Sequence, residues 1–429
     1  MSEGDRGILM YESTLSLEAR QRLQEIGRAD LVIGIPSHRN GRTIGEVVRA
    51  ISEGIATYLY DQRVVLMIAD GGSSDNTVRH VVDAAVTPNV EKLVNIYQGT
   101  TGKGTAIRSI FEVTAELQAR AGLVIEARAP GIVPEWLPSL LTPVLSGDDL
   151  TMGCYQRSAY ASALIDNLVY PFLYTYFGTD LRDPLAPEFA LSGAMAADLA
   201  GRDVWETDVS RFGINIWVAI QSLADNRRVS QVSIGYRGEG SGEPGMLIDA
   251  RFLHAIGTMF RLLSVHERLW QQPALPARRV PMRATACDDE YVPCPDCYAD
   301  LLCSLQQSWD RYLDEWRRTL APDTMRRVME VVKAAPDDFD YPLDLWARSV
   351  AEFAVIYNQG DGDPDKVVEA LLPLFYGRAA AYIRHTQSMT PVQRENVVAH
   401  IVQAFEANKP YFIEKWRSYE LWWDNEDLF

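Results

Sequence analysis

The sequence predicts an α/β protein: a mainly parallel sheet covered by helices, followed by an all-helical C-terminal part. Three observations point there. Apolar runs of strand length at residues 31–36, 64–69 and 93–97 alternate with helix-periodic stretches at 44–58 and 76–85, the pattern of β-α-β units whose strands are buried on both faces. The run 64–69 ends in Asp70-Gly71-Gly72-Ser73-Ser74-Asp75-Asn76-Thr77, an acid and a glycine-serine turn at the strand edge where open α/β sheets bind ligands. From Tyr298 onward Trp and Leu recur at helical spacing, with breaks near Pro336, Gly360 and Pro391, which reads as packed helices.

Taken in order, residues 16–28 form an amphipathic helix and 31–36 the first buried strand, closed by Pro36. A polar turn, 37–43, leads into a helix over 44–58. The second strand, 64–69, delivers Asp70 to its carboxyl end, and the following turn is expected to offer unpaired backbone N–H groups and a helix start at 74–76. After the third strand comes Gly99-Thr100-Thr101-Gly102-Lys103-Gly104-Thr105-Ala106, opening a helix that runs to about residue 120. Glycines there let backbone approach a ligand, and Lys103 at a helix start suits a phosphate. A fourth strand, 121–125, ends in Glu126-Ala127-Arg128; 136–145 is helical, and 149–155 and 232–236 are strand candidates. Residues 238–245 read as a mobile glycine-rich loop and 248–264 as a helix. The resulting division is an α/β domain over 1–270, a Pro-rich linker over 271–297 and a helical domain over 298–429.

Charge and composition exclude several classes. With Lys+Arg 41 against Asp+Glu 58, the net charge of −17 disfavours nonspecific attraction to nucleic acid or an anionic membrane, while leaving room for a local basic pocket. The N-terminus lacks a signal-peptide pattern, and no apolar stretch reaches about 18 residues, so a cytoplasmic location is expected. Cys154 stands alone, and Cys287, Cys294, Cys297 and Cys303 fall in one short stretch holding a single Cys-x-x-Cys knuckle. Reduced thiols in a linker fit that spacing better than a structural zinc.

The motifs resemble the nucleotide-sugar glycosyltransferases of the GT-A fold, in their family 2-like branch, near the mannosylglycerate and glucosyl-3-phosphoglycerate synthases. The matching pieces are residues 36–40, the run 70–77, Gly102-Lys103-Gly104 with Ala106, Pro184-Leu185-Ala186-Pro187-Glu188, and Trp205 through Arg211-Phe212-Gly213-Ile214-Asn215. The resemblance implies that Pro36 and its loop, Ser37 to Asn40, touch the nucleotide, that Asp70 accepts hydrogen bonds from the base, that Gly102 and Lys103 lie near the donor, and that Glu188 orients sugar hydroxyls. It implies a UDP- or GDP-sugar donor and a small hydroxylated acceptor.

Three departures fall at the chemistry. The family's Asp-x-Asp, which binds Mg²⁺ or Mn²⁺ across the donor diphosphate, is Glu126-Ala127-Arg128 here; a guanidinium cannot ligate a dication and one Glu makes a poor site. The later metal-binding His is missing around residues 236–245, where Arg237 stands. The acidic residue that handles the acceptor hydroxyl is Asn215, an amide that can hold a hydroxyl but not take its proton. Pro187 also replaces a glycine that gives the sugar loop its freedom.

Two readings follow. In one, a metal-independent hexosyltransferase uses Arg128, helped by Lys103 and by Arg157 or Arg237, to neutralise the diphosphate; arginine stays charged and grips phosphate bidentately. In the other, the protein binds a nucleotide sugar or acts as a scaffold without catalysis. Glu206, the pair Asp148-Asp149 and His254 carry weaker signals, read as surface, turn and packing residues. Trp309, Trp316, Trp346, Trp416, Trp422 and Trp423 read as core or interface, and the apolar tail from Trp416 as docking on the protein's own body or on a second subunit of a homodimer.

Overall fold

A computed structural model describes residues 13–236, 244–271, 278–283, 294 and 296–419. Its strands are β1 (Leu31–Ser37), β2 (Val64–Asp70), β3 (Val90–Ile96), β4 (Ala121–Val124), β5 (Leu150–Gln156), β6 (Phe189–Ser192), β7 (Val229–Tyr236) and β8 (Met282–Arg283), in the order β3-β2-β1-β4-β6-β5-β7-β8. The fold class read from the sequence is the one observed.

Every residue of β1 and β2 is buried, as expected for β-branched and aliphatic runs covered on both faces of a parallel sheet. β1 pairs in parallel with β2 from Leu31 opposite Val64 through to Ser37 opposite Asp70, and with β4 only over Leu31 to Gly34. Gly34 still accepts a bond from the Ile125 N–H on the β4 side. Two residues on, Pro36 faces the same side beyond the last rung, where its missing N–H costs nothing. β2 pairs in parallel with β3, so strand order reverses at β1, and the switch point lies between the carboxyl ends of β1 and β4.

Helices Ile44–Tyr58 and Trp136–Leu145 keep the bounds expected from their periodicity, whereas Lys103–Glu116 stops short of residue 120 and Pro244–Val265 begins inside the stretch expected to be loop. Residues 237–243, and Arg237 with them, lie outside the described residues. β6 went unread in the sequence: four residues, antiparallel to both β4 and β5.

The expected division at residue 270 is corrected. One compact unit comprises Met1–Gly153, Pro187–Ile214 and Arg228–Val232; the other comprises Cys154–Ala186, Asn215–Arg227 and Ser233–Phe429. The reason is apolar coverage: the helical stretches 159–177 and 244–265 carry large buried side chains, among them Phe172, Phe252 and Phe260, each 0% exposed, that pack with the C-terminal helices. The described part of the presumed linker also holds β8 and a bridge between Thr179 and Arg278.

The second unit surrounds Trp316, Trp346 and Tyr341, all 0% exposed, and Trp416 docks against Trp270 and Phe412 while its indole N–H donates to Glu267. Trp422 and Trp423 lie outside the described residues. Within this core, Ile165–Val169 is a π-helical turn between two α-helical segments, a geometry concentrated where side chains are placed for a purpose. It turns Asp166 and Asn167 inward. Asp166 accepts from Arg182 at 2.6 Å and from the Tyr382 hydroxyl at 2.6 Å; Asn167 accepts from Arg378 Nε at 2.9 Å. Cys154 is also in this unit, its thiol pushed up to about 12 by burial and by Asp183, which leaves it inert. Cys287 lies outside the described residues, and Cys303 is a free, exposed thiol.

Candidate functional site

The switch point gathers the loops after β1, β2 and β4 in the first unit. Because the β1–β2 register sets Ser37 opposite Asp70, the Ser37 hydroxyl donates to Asp70 Oδ2 at 2.7 Å. The Ser73 hydroxyl donates to the same oxygen at 2.8 Å, and the Ser73 N–H donates to Oδ1 at 2.6 Å. Asp70 is 0% exposed. Both oxygens of Asp70 are engaged inside the protein, and the carboxylate ties the β1 and β2 loops together.

The same accounting engages several of the backbone donors near the turn. The N–H of His38 donates to Asn40 Oδ1, that of Arg39 to Ser73 Oγ, that of Asn40 to Thr77 Oγ1 and that of Gly41 to Asp75 Oδ2. Gly71 N–H bonds Ser37 O and Thr77 N–H bonds Asp75 Oδ1. The Thr77 hydroxyl, then the Gly41 N–H, holds the Asp75 carboxyl below its ordinary value. Asp75 is thus a loop anchor. Among these residues Arg39 stands out, with φ +54, a left-handed backbone uncommon outside glycine, asparagine and aspartate.

Gly102 and Gly104 also have a packing purpose. A Cβ on Gly102 would lie 2.3 Å from Ser210 O, and one on Gly104 1.8 Å from Val209 O. The glycines let the start of helix Lys103–Glu116 pack against the 3₁₀ turn Asp208–Ser210, and Gly104 N–H donates to Arg211 O at 3.0 Å. What the packing fixes is Lys103, whose Nζ reaches Glu126 Oε1 at 2.6 Å, with the two side chains 15% and 17% exposed.

Glu126 follows β4, and the loop is held to the β1 side by the Thr43 hydroxyl, which donates to Ala127 O at 2.8 Å. Arg128 is partly buried, and its guanidinium has no hydrogen bond or ion pair among the described residues. A divalent cation needs several oxygen ligands. Here the one carboxylate is taken by an ammonium, and a methyl and a guanidinium follow it. No group of three His, Cys, Asp or Glu side chains able to hold a metal ion occurs among the described residues. The donor set does not fit Mg²⁺ or Mn²⁺.

The remaining expected residues are dispersed. Glu188 is wholly buried at the head of β6, its carbonyl accepting from Gly153 N–H at 2.9 Å; Glu206 is exposed, and Asp149 accepts from Arg228 N–H in a turn before β5. Arg157 and Asn215 belong to the second unit. Arg157 pairs with Asp183, its partner 2% exposed, and lies over the Tyr155 ring. Asn215 Nδ2 donates to Ala186 O at 2.7 Å. Sequence reasoning missed Arg39, Ser73 and Thr43; only a parallel register between β1 and β2 would have drawn attention to the first two.

No family model matches the chain, and no curated protein matches it. Among solved structures it is similar to glucosyl-3-phosphoglycerate synthase from Mycobacterium tuberculosis in complex with Mn²⁺, UDP and glucosyl-3-phosphoglycerate, at 20% identity and TM-score 0.43 over 58% of this chain and 83% of that one. The same enzyme with Mn²⁺, UDP-glucose and glycerol 3-phosphate gives 19% identity and TM-score 0.43 over 60% and 87%. A mycobacterial protein gives 19% and 0.42 over 58% and 78%. At these values the likeness carries no conclusion about chemistry.

Proposed function

We propose that the chain binds a UDP- or GDP-sugar at the switch point of its first unit and transfers the hexose to a small hydroxylated acceptor without a divalent metal. The observation that carries this reading is the Lys103–Glu126 pair at 2.6 Å with the uncommitted Arg128 guanidinium two residues on. An ion pair and a fixed cation occupy the edge where a metal-dependent transferase needs two carboxylates. Arg128 presents a planar guanidinium that can grip two phosphate oxygens, so it can stabilise the diphosphate as it leaves. In a retaining transfer the leaving phosphate itself accepts the acceptor proton, so no side-chain base is required. Glu188 would then orient the sugar. This reading is of a cytoplasmic homodimer, and light scattering after size exclusion tests the dimer. Among the described residues no helix is long and apolar enough to cross a membrane.

Calorimetry with UDP, GDP and their sugars, with and without Mn²⁺, tests the site. Metal-free binding that Arg128→Ala weakens at least tenfold supports it; strict Mn²⁺ dependence removes it. A second reading, binding without turnover, is favoured by the commitment of the Asn215 amide to Ala186 O. Binding accompanied by no glycosylated product in mass spectra, with glycerate and phosphoglycerate as acceptors, would select it.

A further inference from the structure

The loop after β1 poses a question of its own: how an anion is held where the backbone donors of residues 38–41 are all used. The N–H groups of residues 38, 39, 40 and 41 each donate to a side-chain oxygen, and those of Gly71, Ser73 and Thr77 are engaged too. At residues 38–41 the backbone is spent on the protein's own side chains, so recognition of a negative group by this stretch falls to its side chains.

We infer that Arg39 is a second phosphate-gripping residue, held in place by the Ser37–Asp70–Ser73 relay and acting opposite Arg128 across the end of β1 on the donor diphosphate. Arg39 is exposed, and its guanidinium has no hydrogen bond or ion pair among the described residues. Its left-handed backbone, φ +54, is locked by the 2.7 Å bond from its N–H to Ser73 Oγ, and that hydroxyl in turn donates to the buried Asp70. Strain of this sort persists only where the surroundings over-determine it. Asp70, with its three accepted bonds, is the anchor, which makes it a positioning residue. The Ser73 side sets Arg39 on the β2 flank, while the Thr43 bond to Ala127 O holds the loop of Arg128 on the β4 flank. Two guanidinium groups so placed can share the oxygens of a pyrophosphate bidentately. The ligand class is a nucleoside diphosphate or free pyrophosphate, not a nucleoside.

This inference rests on the donor reading above, and the experiment separates the two. Titrate UDP, GDP, uridine and inorganic pyrophosphate into the full chain and into Arg39→Gly and Arg39→Asn, both of which keep a left-handed backbone accessible while removing the charge. The expected result is a 10- to 100-fold loss for UDP and pyrophosphate, no change for uridine, and a shallower salt dependence. Thermal melts of both variants confirm that the fold persists, and agreement between two variants of different size guards against one that fails to fold. Unchanged pyrophosphate affinity in both, or an equal loss for uridine, overturns the assignment. If the wild-type chain takes pyrophosphate but neither UDP nor GDP, the donor reading fails, and Arg39 still stands or falls on the pyrophosphate arm.

Discussion

Gly104→Ala offers the sharpest test of why the helix begins where it does. An added Cβ meets Val209 O at 1.8 Å, Ser210 C at 2.7 Å and Ser210 Cα at 2.8 Å, against ordinary contact beyond 3.4 Å, and all three are backbone atoms with no rotamer to yield. The helix start and the Asp208–Ser210 turn must part by more than an ångström. That separation also lengthens the Gly104 N–H bond to Arg211 O, worth about 1 kcal/mol. Overpacking costs about 1–3 kcal/mol, while the helix gains about 1 kcal/mol from alanine over glycine. The clash outweighs the propensity, and the net destabilisation is about 2 kcal/mol or more. For a cooperative unit of this size that is a fall of roughly 4–12 °C in melting temperature, readable by calorimetry or circular dichroism. Gly72→Ala is the control, because its φ of +80 brings strain but nothing lies within 4 Å of the new methyl; it should cost about 1 kcal/mol. A Gly104→Ala protein melting at or above wild type would refute the packing account and return the glycine to ligand approach.

Arg182→Met leaves Asp166, 1% exposed, without its guanidinium; denaturant unfolding should show a loss of about 3–5 kcal/mol, and a loss under 1 kcal/mol counts against the pair. Burial pushes the Glu352 carboxyl up, only partly offset by bonds from Tyr411, Thr324 and the Ala321 N–H. A raised folded value means that this group's stability is fully present below the ordinary 4.5 and falls as pH rises through the folded value. The stability of wild type minus that of Glu352→Gln should accordingly shrink from pH 4 to pH 7, and a flat or rising difference would contradict it. Arg128→Asp places a second carboxylate two residues after Glu126. Nucleotide binding by this variant should weaken without metal and recover in millimolar Mn²⁺; calorimetry showing no Mn²⁺ response argues against the charge-replacement reading.

The sheet was legible because its strands are long apolar runs: the burial of all seven residues in β1 and in β2 is written in their composition. β6, with four residues behind Pro187, is too short to show a period, and its antiparallel pairing is decided by strands distant in sequence. The two-part organisation was legible in kind but not in its bounds, since residues 154–186 join the second unit through contacts with helices two hundred positions later. At the site, Lys103, Glu126 and Arg128 were visible as a loss of acid pairing, because that depends on residue type alone. The saturation of Asp70 was not, because it needs Ser37, thirty-three residues earlier, at the matching rung. Nor could the glycines reveal that their crowding neighbour is the turn at residues 208–210.

The wide turn at Ile165–Val169 stores one residue more than an α-helix would use. Each residue of an α-helix advances the chain by about 100° about its axis. Excising a single residue there would let the coil close into regular winding with everything downstream, Tyr170, Phe172 and Tyr176 included, kept in phase, whereas excising one from either flanking α-helical segment would swing those rings about a quarter-revolution away from their partners. The stretch therefore works as a phase adjuster: it absorbs one residue without turning the aromatic stack, and what its shortening would remove is the inward placement of Asp166 and Asn167.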